Sequence, residues 1–240
     1  MPVHAVIFDL FGTLVPGLSR DGHRNVVAEL ATVLGAAPNA FAREWADTFE
    51  DRCLGRLGPG DGAMKALCAR LGLRPAPEAL RAAVALRRRT SRDSMEPRGD
   101  ALQVFGALRA RGLRLALCSD ATWEIPALWA ESPMAAYFDA AVFSCAEAVK
   151  KPDPRIFGLA CERIGVEPTR CVYVGDGGSH ELSGAAAVGM VPVLLRVPDD
   201  PIAYRVDAED GWPGRRVESL SQVLAILDDP ALQPAVGDPP

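Results

Sequence analysis

Four short segments of the sequence carry side chains that could together handle an anion. They are Phe8 to Val15 (FDLFGTLV), Leu117 to Ala121 (LCSDA), Lys150 to Phe157 (KKPDPRIF) and Val174 to Met190 (VGDGGSHELSGAAAVGM). Between them they supply an aspartate, a hydroxyl group, a lysine and an acidic, glycine-rich turn. If these groups converge, they form an anion-binding site that contains a nucleophile.

Asp9 is the candidate nucleophile, because a carboxylate can attack phosphorus or carbon and leave an ester that water then hydrolyses. Thr13 and Ser119 can donate hydrogen bonds to the transferring oxygens, and Lys151 can neutralise charge on the substrate and on Asp9. Asp9 and Asp176 offer the hard oxygen ligands that Mg²⁺ prefers. The residue types therefore predict a hydrolytic site with Mg²⁺ as its cofactor.

The elements that must position these groups can be read from the hydropathy pattern. Five apolar runs predict buried strands: Val3 to Phe8, Leu113 to Cys118, Ala140 to Phe143, Cys171 to Val174 and Val191 to Leu195. Valine- and leucine-rich runs with helices between them indicate parallel strands covered on both faces. We predict an α/β fold with a doubly wound, Rossmann-like parallel sheet, in which ligands bind beyond the carboxyl ends of the strands.

Helical spacing predicts two sets of helices. Those of the α/β core are Asp100 to Arg111, Thr122 to Ala130, Pro154 to Ile164, Glu181 to Val188 and Leu220 to Leu227. A second set without strands covers Asn25 to Leu34, Ala40 to Cys53, Gly60 to Leu71 and Glu78 to Thr90. We therefore expect a core of residues 1–16 and 97–227, an all-helical cap of residues 17–96, and a disordered tail at 228–240, where four prolines occur.

Composition excludes several classes of partner. The chain has 240 residues and a formal net charge of −5, so it lacks the clustered positive charge needed to bind nucleic acid or an anionic membrane. Its six cysteines have no metal-ligand spacing, and no apolar run is long enough to span a membrane. We expect a cytoplasmic enzyme, a monomer or homodimer, whose partner is a small-molecule substrate.

The four segments, in this order, resemble the motifs of the haloacid dehalogenase superfamily of hydrolases. The resemblance covers Val3 to Val15 and about Pro97 to Val197, and the helical insert resembles the family's cap. It implies that the aspartate of the first segment forms a covalent intermediate, with Ser119 as the second-motif hydroxyl and Lys151 as the third-motif lysine. It also implies a Mg²⁺ site made by Asp9, the carbonyl of Phe11 and Asp176.

The remaining site residues follow from the same resemblance. The later acid of the fourth motif is Glu181, one position further along than the usual spacing, and we expect it to serve the metal. Phe11, Gly12 and Asp120 are predicted to contact the substrate, and Asp120 stands where many relatives have asparagine.

Position 11 departs from the pattern of the family's phosphatases, which usually have an acid–base aspartate there. An aromatic residue at this position is typical of the family's dehalogenases, whose leaving halide needs no proton. Those enzymes use no metal, however, and generally replace the Gly-Asp pair that is intact here as Gly175 and Asp176. The favoured prediction is a Mg²⁺-dependent phosphatase of a small phosphorylated metabolite. The alternatives are a metal-independent 2-haloacid dehalogenase and a catalytically impaired member that binds a ligand.

Overall fold

A six-stranded parallel sheet forms the centre of the protein. The computed structural model describes residues 3–17, 19–198, 200 and 207–232. The strands are β1 (Ala5–Phe8), β2 (Arg114–Ser119), β3 (Ala140–Phe143), β4 (Cys171–Gly175), β5 (Val191–Leu195) and β6 (Arg215–Val217). Their order in the sheet is β3-β2-β1-β4-β5-β6. The predicted doubly wound sheet is thus confirmed, and the order reverses at β1, which places a crevice beyond its carboxyl end.

Both faces of the sheet are buried, as parallel strands require. On β1, Val6 and Phe8 join one apolar cluster while Ala5 and Ile7 join the other. The alternation follows from strand geometry, because successive side chains point to opposite faces. The helices that cover the two faces are α6 (Ala101–Ala110), α7 (Glu124–Glu131), α8 (Ser144–Glu147), α9 (Pro154–Ile164), α10 (Glu181–Ala187) and α11 (Ser221–Leu227).

Five helices lie between β1 and α6 and have an apolar core of their own. They are α1 (Arg20–Leu34), α2 (Pro38–Asp47), α3 (Phe49–Cys53), α4 (Gly62–Arg70) and α5 (Pro77–Asp93). Leu30, Phe41 and Leu67 are fully buried within this cluster. The single helix predicted from Ala40 to Cys53 is wrong: the chain forms two helices, because Thr48 leaves helical geometry (φ −92°, ψ 5°).

Residues near the carboxyl terminus form more structure than the sequence predicts. Strand β6 pairs with β5, although its sequence gives no apolar run. A short 3₁₀ turn follows at Pro230–Leu232, and others occur elsewhere at Ala135–Tyr137, Pro168–Arg170 and Gly178–His180. Leu232 is buried and its carbonyl accepts a hydrogen bond from the Val3 amide, so residues 228–232 do not form the disordered tail expected there. The prolines suggested disorder there, but the burial of Leu232 fixes the segment on the apolar core. Residues 233–240 of the predicted tail lie outside the described part of the chain.

All six cysteines are buried free thiols. Among the described residues, no helix combines the length and the apolar character needed to cross a bilayer.

The helical insert docks on the sheet through buried polar contacts. Ser144 Oγ donates to the Cys53 carbonyl at 2.6 Å and accepts from the Ala121 amide at 2.9 Å. Beside it, Gly55 has a φ of +69°, and a Cβ atom there would overlap the carbonyl oxygen of Cys145. Gly55 therefore permits the close approach of the two parts of the protein.

We predict that Gly55→Ala destabilises the protein more than Gly58→Ala does. Gly58 also has a positive φ of +78°, but a Cβ atom there meets nothing within 4 Å. Both variants incur backbone strain of about 1 kcal/mol, and only Gly55→Ala adds a steric overlap with the core. Urea unfolding measures the two free energies, and equal losses would show that the Gly55 contact does not matter.

Candidate active site

The sheet brings the predicted polar groups to one edge. Asp9 follows β1, Lys151 precedes α9, Asp176 follows β4 and Glu181 begins α10. Because β1 and β4 are parallel neighbours, their carboxyl ends meet at the same edge. All four side chains are buried.

Lys151 lies at the centre of this group. Its Nζ donates to Asp9 Oδ1 at 2.6 Å and to Glu181 Oε2 at 2.5 Å, and it lies 3.4 Å from the Tyr173 hydroxyl. Tyr173 in turn donates to Glu181 Oε2 at 2.7 Å. One ammonium group therefore connects the nucleophile candidate to the acid of the fourth motif.

Burial and crowding of charge shift the pKa values of these groups. Desolvation raises the pKa of Asp9 to about 7, although the Lys151 ammonium opposes this shift. Desolvation also raises the pKa of Glu181, and the neighbouring Asp176 carboxylate adds to the effect. Burial disfavours the charged form of Lys151, yet the carboxylates of Asp9 and Glu181 outweigh it and hold the pKa of that lysine well above its usual value. The site thus favours cations and resists further negative charge.

The loop that carries Asp9 is fixed from two sides. Thr13 Oγ1 donates to Asp9 Oδ2 at 3.1 Å. Gly12 has a φ of +81°, and a Cβ atom there would overlap the Asp176 carboxylate. Arg98 donates to the carbonyls of Gly12 at 2.9 Å and Thr13 at 2.7 Å. These contacts hold the predicted nucleophile loop against the fourth segment.

The fourth segment accommodates its unusual spacing in a left-handed turn. Ser179 and His180 have φ values of 55° and 50°, and α10 begins at the next residue, Glu181. The Gly177 amide donates to Glu181 Oε1 at 2.8 Å, and Arg196 donates to the Asp176 carbonyl at 2.8 Å. Glu181 therefore reaches the site despite lying one position further along the chain.

One carboxylate oxygen from each of Asp9, Asp176 and Glu181 lies within 4.8 Å of the others. Three buried carboxylates at this separation form a set of hard ligands suited to a small divalent cation. The predicted role of the Phe11 carbonyl in the same set stays a prediction.

A cavity of about 220 Å³ opens above these carboxylates. Of the predicted residues, its lining includes Asp9, Phe11, Asp120, Lys151, Asp176 and Glu181. Asp120 Oδ1 accepts a hydrogen bond from the Lys151 amide at 3.0 Å, so it helps to position the segment that carries the lysine.

Other predicted residues lie behind this cavity or beside it. Thr13 and Ser119 are fully buried, and neither they nor Gly12 belong to the lining of the cavity. Ser119 Oγ has no hydrogen-bond partner among the described residues, so a buried donor at the end of β2 is left unsatisfied.

Sequence reasoning missed several residues that shape the site. Tyr173 reads as an ordinary strand residue, and only the fold shows its hydroxyl against Glu181. Arg98 and Arg196 lie far along the chain from the loops whose carbonyls they bind, so no local spacing reveals them. Arg87 reaches the cavity from α5, although its place in a run of three arginines is typical of a solvated helix face.

Comparisons with known proteins agree with this architecture. A sequence model of the haloacid dehalogenase-like hydrolases matches residues 3–189. The chain is similar to a phosphoglycolate phosphatase of Rhodospirillum rubrum, with 34% identity over 94% of this chain and 87% of the relative. It is also similar to a glyceraldehyde 3-phosphate phosphatase of Methanopyrus kandleri, with 29% identity over 81% of this chain and 84% of the relative.

A solved structure shares the fold. The L-2-haloacid dehalogenase from Xanthobacter autotrophicus, with chloropropionic acid covalently bound, aligns with a TM-score of 0.63 at 22% identity. The alignment covers 95% of this chain and 99% of the dehalogenase. The family match spans most of the chain, and the four motifs meet at one edge of the expected sheet. The protein belongs to the haloacid dehalogenase-like hydrolases.

Proposed function

We propose that the protein is a Mg²⁺-dependent phosphatase that hydrolyses a small phosphorylated metabolite through an aspartyl-phosphate at Asp9. The observation that carries this proposal is the buried cluster of Asp9, Asp176 and Glu181 around Lys151. The names of the two relatives from Rhodospirillum rubrum and Methanopyrus kandleri support it.

The donor set fits a divalent cation. The three carboxylates and the Lys151 ammonium carry two more negative than positive charges when all are ionised. Burial makes this imbalance costly, as the raised pKa of Asp9 indicates. We infer that Asp9, the Phe11 carbonyl, Asp176 and Glu181 hold Mg²⁺, which when bound would offset the charge of the phosphate and favour the ionised form of Asp9.

The proposed reaction has two displacements at phosphorus. In the first, a carboxylate oxygen of Asp9 bonds to phosphorus, and the ester bond breaks with its electron pair on the leaving oxygen. In the second, a water oxygen bonds to phosphorus and the bond to Asp9 breaks, which releases inorganic phosphate. Lys151 at Asp9 Oδ1 and Thr13 at Asp9 Oδ2 orient the carboxylate for both steps.

Phe11 cannot donate the proton that the leaving oxygen needs. We therefore infer a substrate with a good leaving group, or a proton that comes from water, from the substrate itself or from a residue of the helical insert. We also propose a cytoplasmic location and a monomeric or homodimeric state; the six free thiols support the first.

The second candidate function is a metal-independent 2-haloacid dehalogenase. Phe11 favours it, because this aromatic side chain lines the cavity next to Asp9 and a halide leaves without a proton. Against it stands Asp176, which has no evident use in a reaction without metal.

We expect the wild-type protein to hydrolyse p-nitrophenyl phosphate with Mg²⁺ and the Asp9→Asn variant to lose at least about 10³-fold in kcat, because an amide is a poor nucleophile. Asp21→Asn, at a largely exposed carboxylate, is the control and should keep full activity. Release of nitrophenol measures turnover.

Chloropropionate with EDTA tests the rival reaction. Halide release under those conditions, without phosphate turnover, would make the protein a dehalogenase. Inactivity toward a broad panel of phosphates and haloacids would favour an impaired member that only binds a ligand.

Mg²⁺ should stabilise the wild-type protein against heat, by about 2.7 kcal/mol at a concentration 100 times its Kd. Asp176→Asn should lose most of this stabilisation, because it removes one of three clustered carboxylates. Thermal unfolding with Mg²⁺ and with EDTA gives both values. An equal Mg²⁺ effect in Asp176→Asn and wild type would refute the proposed ligand set.

Lys151→Met should lower the free energy of unfolding at pH 8 in EDTA by about 3 kcal/mol or more, because it leaves buried carboxylates without their counter-ion. Lys150→Met is the matched control, since Lys150 is only half-buried and donates weakly to the Lys151 carbonyl at 3.4 Å. Denaturant unfolding compares the pair. Equal stability of the two variants would contradict the structural role given to Lys151.

A further inference from the structure

The cavity above the carboxylates has a roof of different chemistry from its floor. The floor is the acidic cluster around Lys151. The helical insert contributes His23, Trp45, Phe49, Arg52 and Arg87 on the opposite side. A substrate in this cavity therefore contacts acidic residues and Lys151 on one side, and basic and aromatic residues on the other.

Arg52 is held in a defined orientation at this roof. It is 5% exposed, and its Nη1 donates to the Trp45 carbonyl and to Thr48 Oγ1, both at 2.6 Å. Its guanidinium carbon lies 3.9 Å from the centre of the Trp45 ring. A planar guanidinium fixed in this way is suited to a carboxylate or a phosphate, which it can bind through two parallel hydrogen bonds.

Arg87 adds a second guanidinium, from α5. Its carbon lies 5.6 Å from the same Trp45 ring, and its Nε contacts Glu124 Oε1 at 2.7 Å. Glu124 balances part of this charge. The electrostatic effect still extends to His23, whose pKa is lowered by burial and then by Arg87 and Arg52. Arg52 and Arg87 thus place two guanidinium groups among the residues that line the cavity.

Trp45 supplies an independent sign of a missing ligand atom. The residue is 4% exposed and lines the cavity, yet its indole Nε1 has no hydrogen-bond partner among the described residues. A buried N–H group without an acceptor costs free energy, so native proteins rarely keep one that nothing satisfies. An acceptor oxygen of a bound substrate would satisfy it.

We propose that the substrate carries a second anionic group, a carboxylate or another phosphate, which binds Arg52 and the indole N–H of Trp45 at the roof while the scissile phosphate lies at Asp9. This proposal rests on the proposed phosphatase function and specifies its substrate class as small phosphorylated acids. A cavity of about 220 Å³ has room for a small substrate of this kind.

The test compares three ligands of similar size. These are 2-phosphoglycolate, ethylene glycol bisphosphate, and 2-hydroxyethyl phosphate, which lacks the second charge. We expect kcat/KM to be at least about tenfold higher for one of the two compounds with a second anionic group than for 2-hydroxyethyl phosphate. Whichever of the two is preferred identifies the group that the roof binds.

Variants of the roof separate recognition from folding. Arg52→Gln should raise KM for the preferred compound at least about tenfold. The KM for 2-hydroxyethyl phosphate should change by no more than about twofold. Trp45→Phe keeps the ring and removes the N–H, so a smaller loss of about fivefold is expected. Arg89→Gln is the control, because Arg89 is 65% exposed and pairs with Glu29 on the surface. If Arg52→Gln does not fold, the same KM values are measured for Arg52→Lys and Trp45→Phe instead.

Binding to the Asp9→Asn protein, measured by calorimetry with Mg²⁺, keeps this inference independent of turnover. Preference for a charged ligand that Arg52→Gln removes would support the roof site even if no phosphate is hydrolysed, in which case the proposed function alone fails. Equal affinity for ligands with and without a second anionic group would overturn the inference. The proposed phosphatase function would not be affected by that result. Equal losses for all three ligands in Arg52→Gln would assign Arg52 a structural role only.

Discussion

The hydrogen bonds of the Lys151 ammonium to Asp9 and Glu181 are the interaction on which the active-site edge of the sheet depends. Three carboxylates cannot be buried together without a counter-ion, because each must give up its hydration. Lys151 supplies part of that charge and connects the ends of β1 and β4 to the segment before α9. The remaining excess of negative charge is the reason for proposing that a divalent cation binds at this edge.

Hydrogen bonds to backbone carbonyls also hold this edge together. Arg98 binds the carbonyls after Asp9, and Arg196 binds the carbonyl of Asp176. Both arginines use donors that reach across the fold to fix loops whose own sequences, rich in glycine, would otherwise be free to move. Arginine suits this role because it remains charged and offers several donors in one plane.

Much of the fold could be predicted from local sequence, while part of the site could not. The runs at Ala140–Phe143 and Val191–Leu195 coincide with their strands because both faces of a parallel sheet demand apolar residues. Strand β6 could not be predicted in this way. It lies at the edge of the sheet, where Arg215 is half-buried and Arg216 is exposed. The hydrogen bond of Tyr173 to Glu181, and the position of Arg87 at the cavity, depend on packing between distant segments. No spacing along the chain encodes such contacts.

The central position of β1 has a consequence for the order of folding. Ala5 pairs with Arg114 on one side and with Cys171 on the other, so the first strand made has no partner until more than a hundred residues have followed it. The helices of the insert, whose contacts are local, can form during this interval. During synthesis the segment that contains Asp9 therefore stays without its strand partners until the carboxyl-terminal half is made. The candidate site can assemble only after β4 has been made, because Asp176 follows that strand.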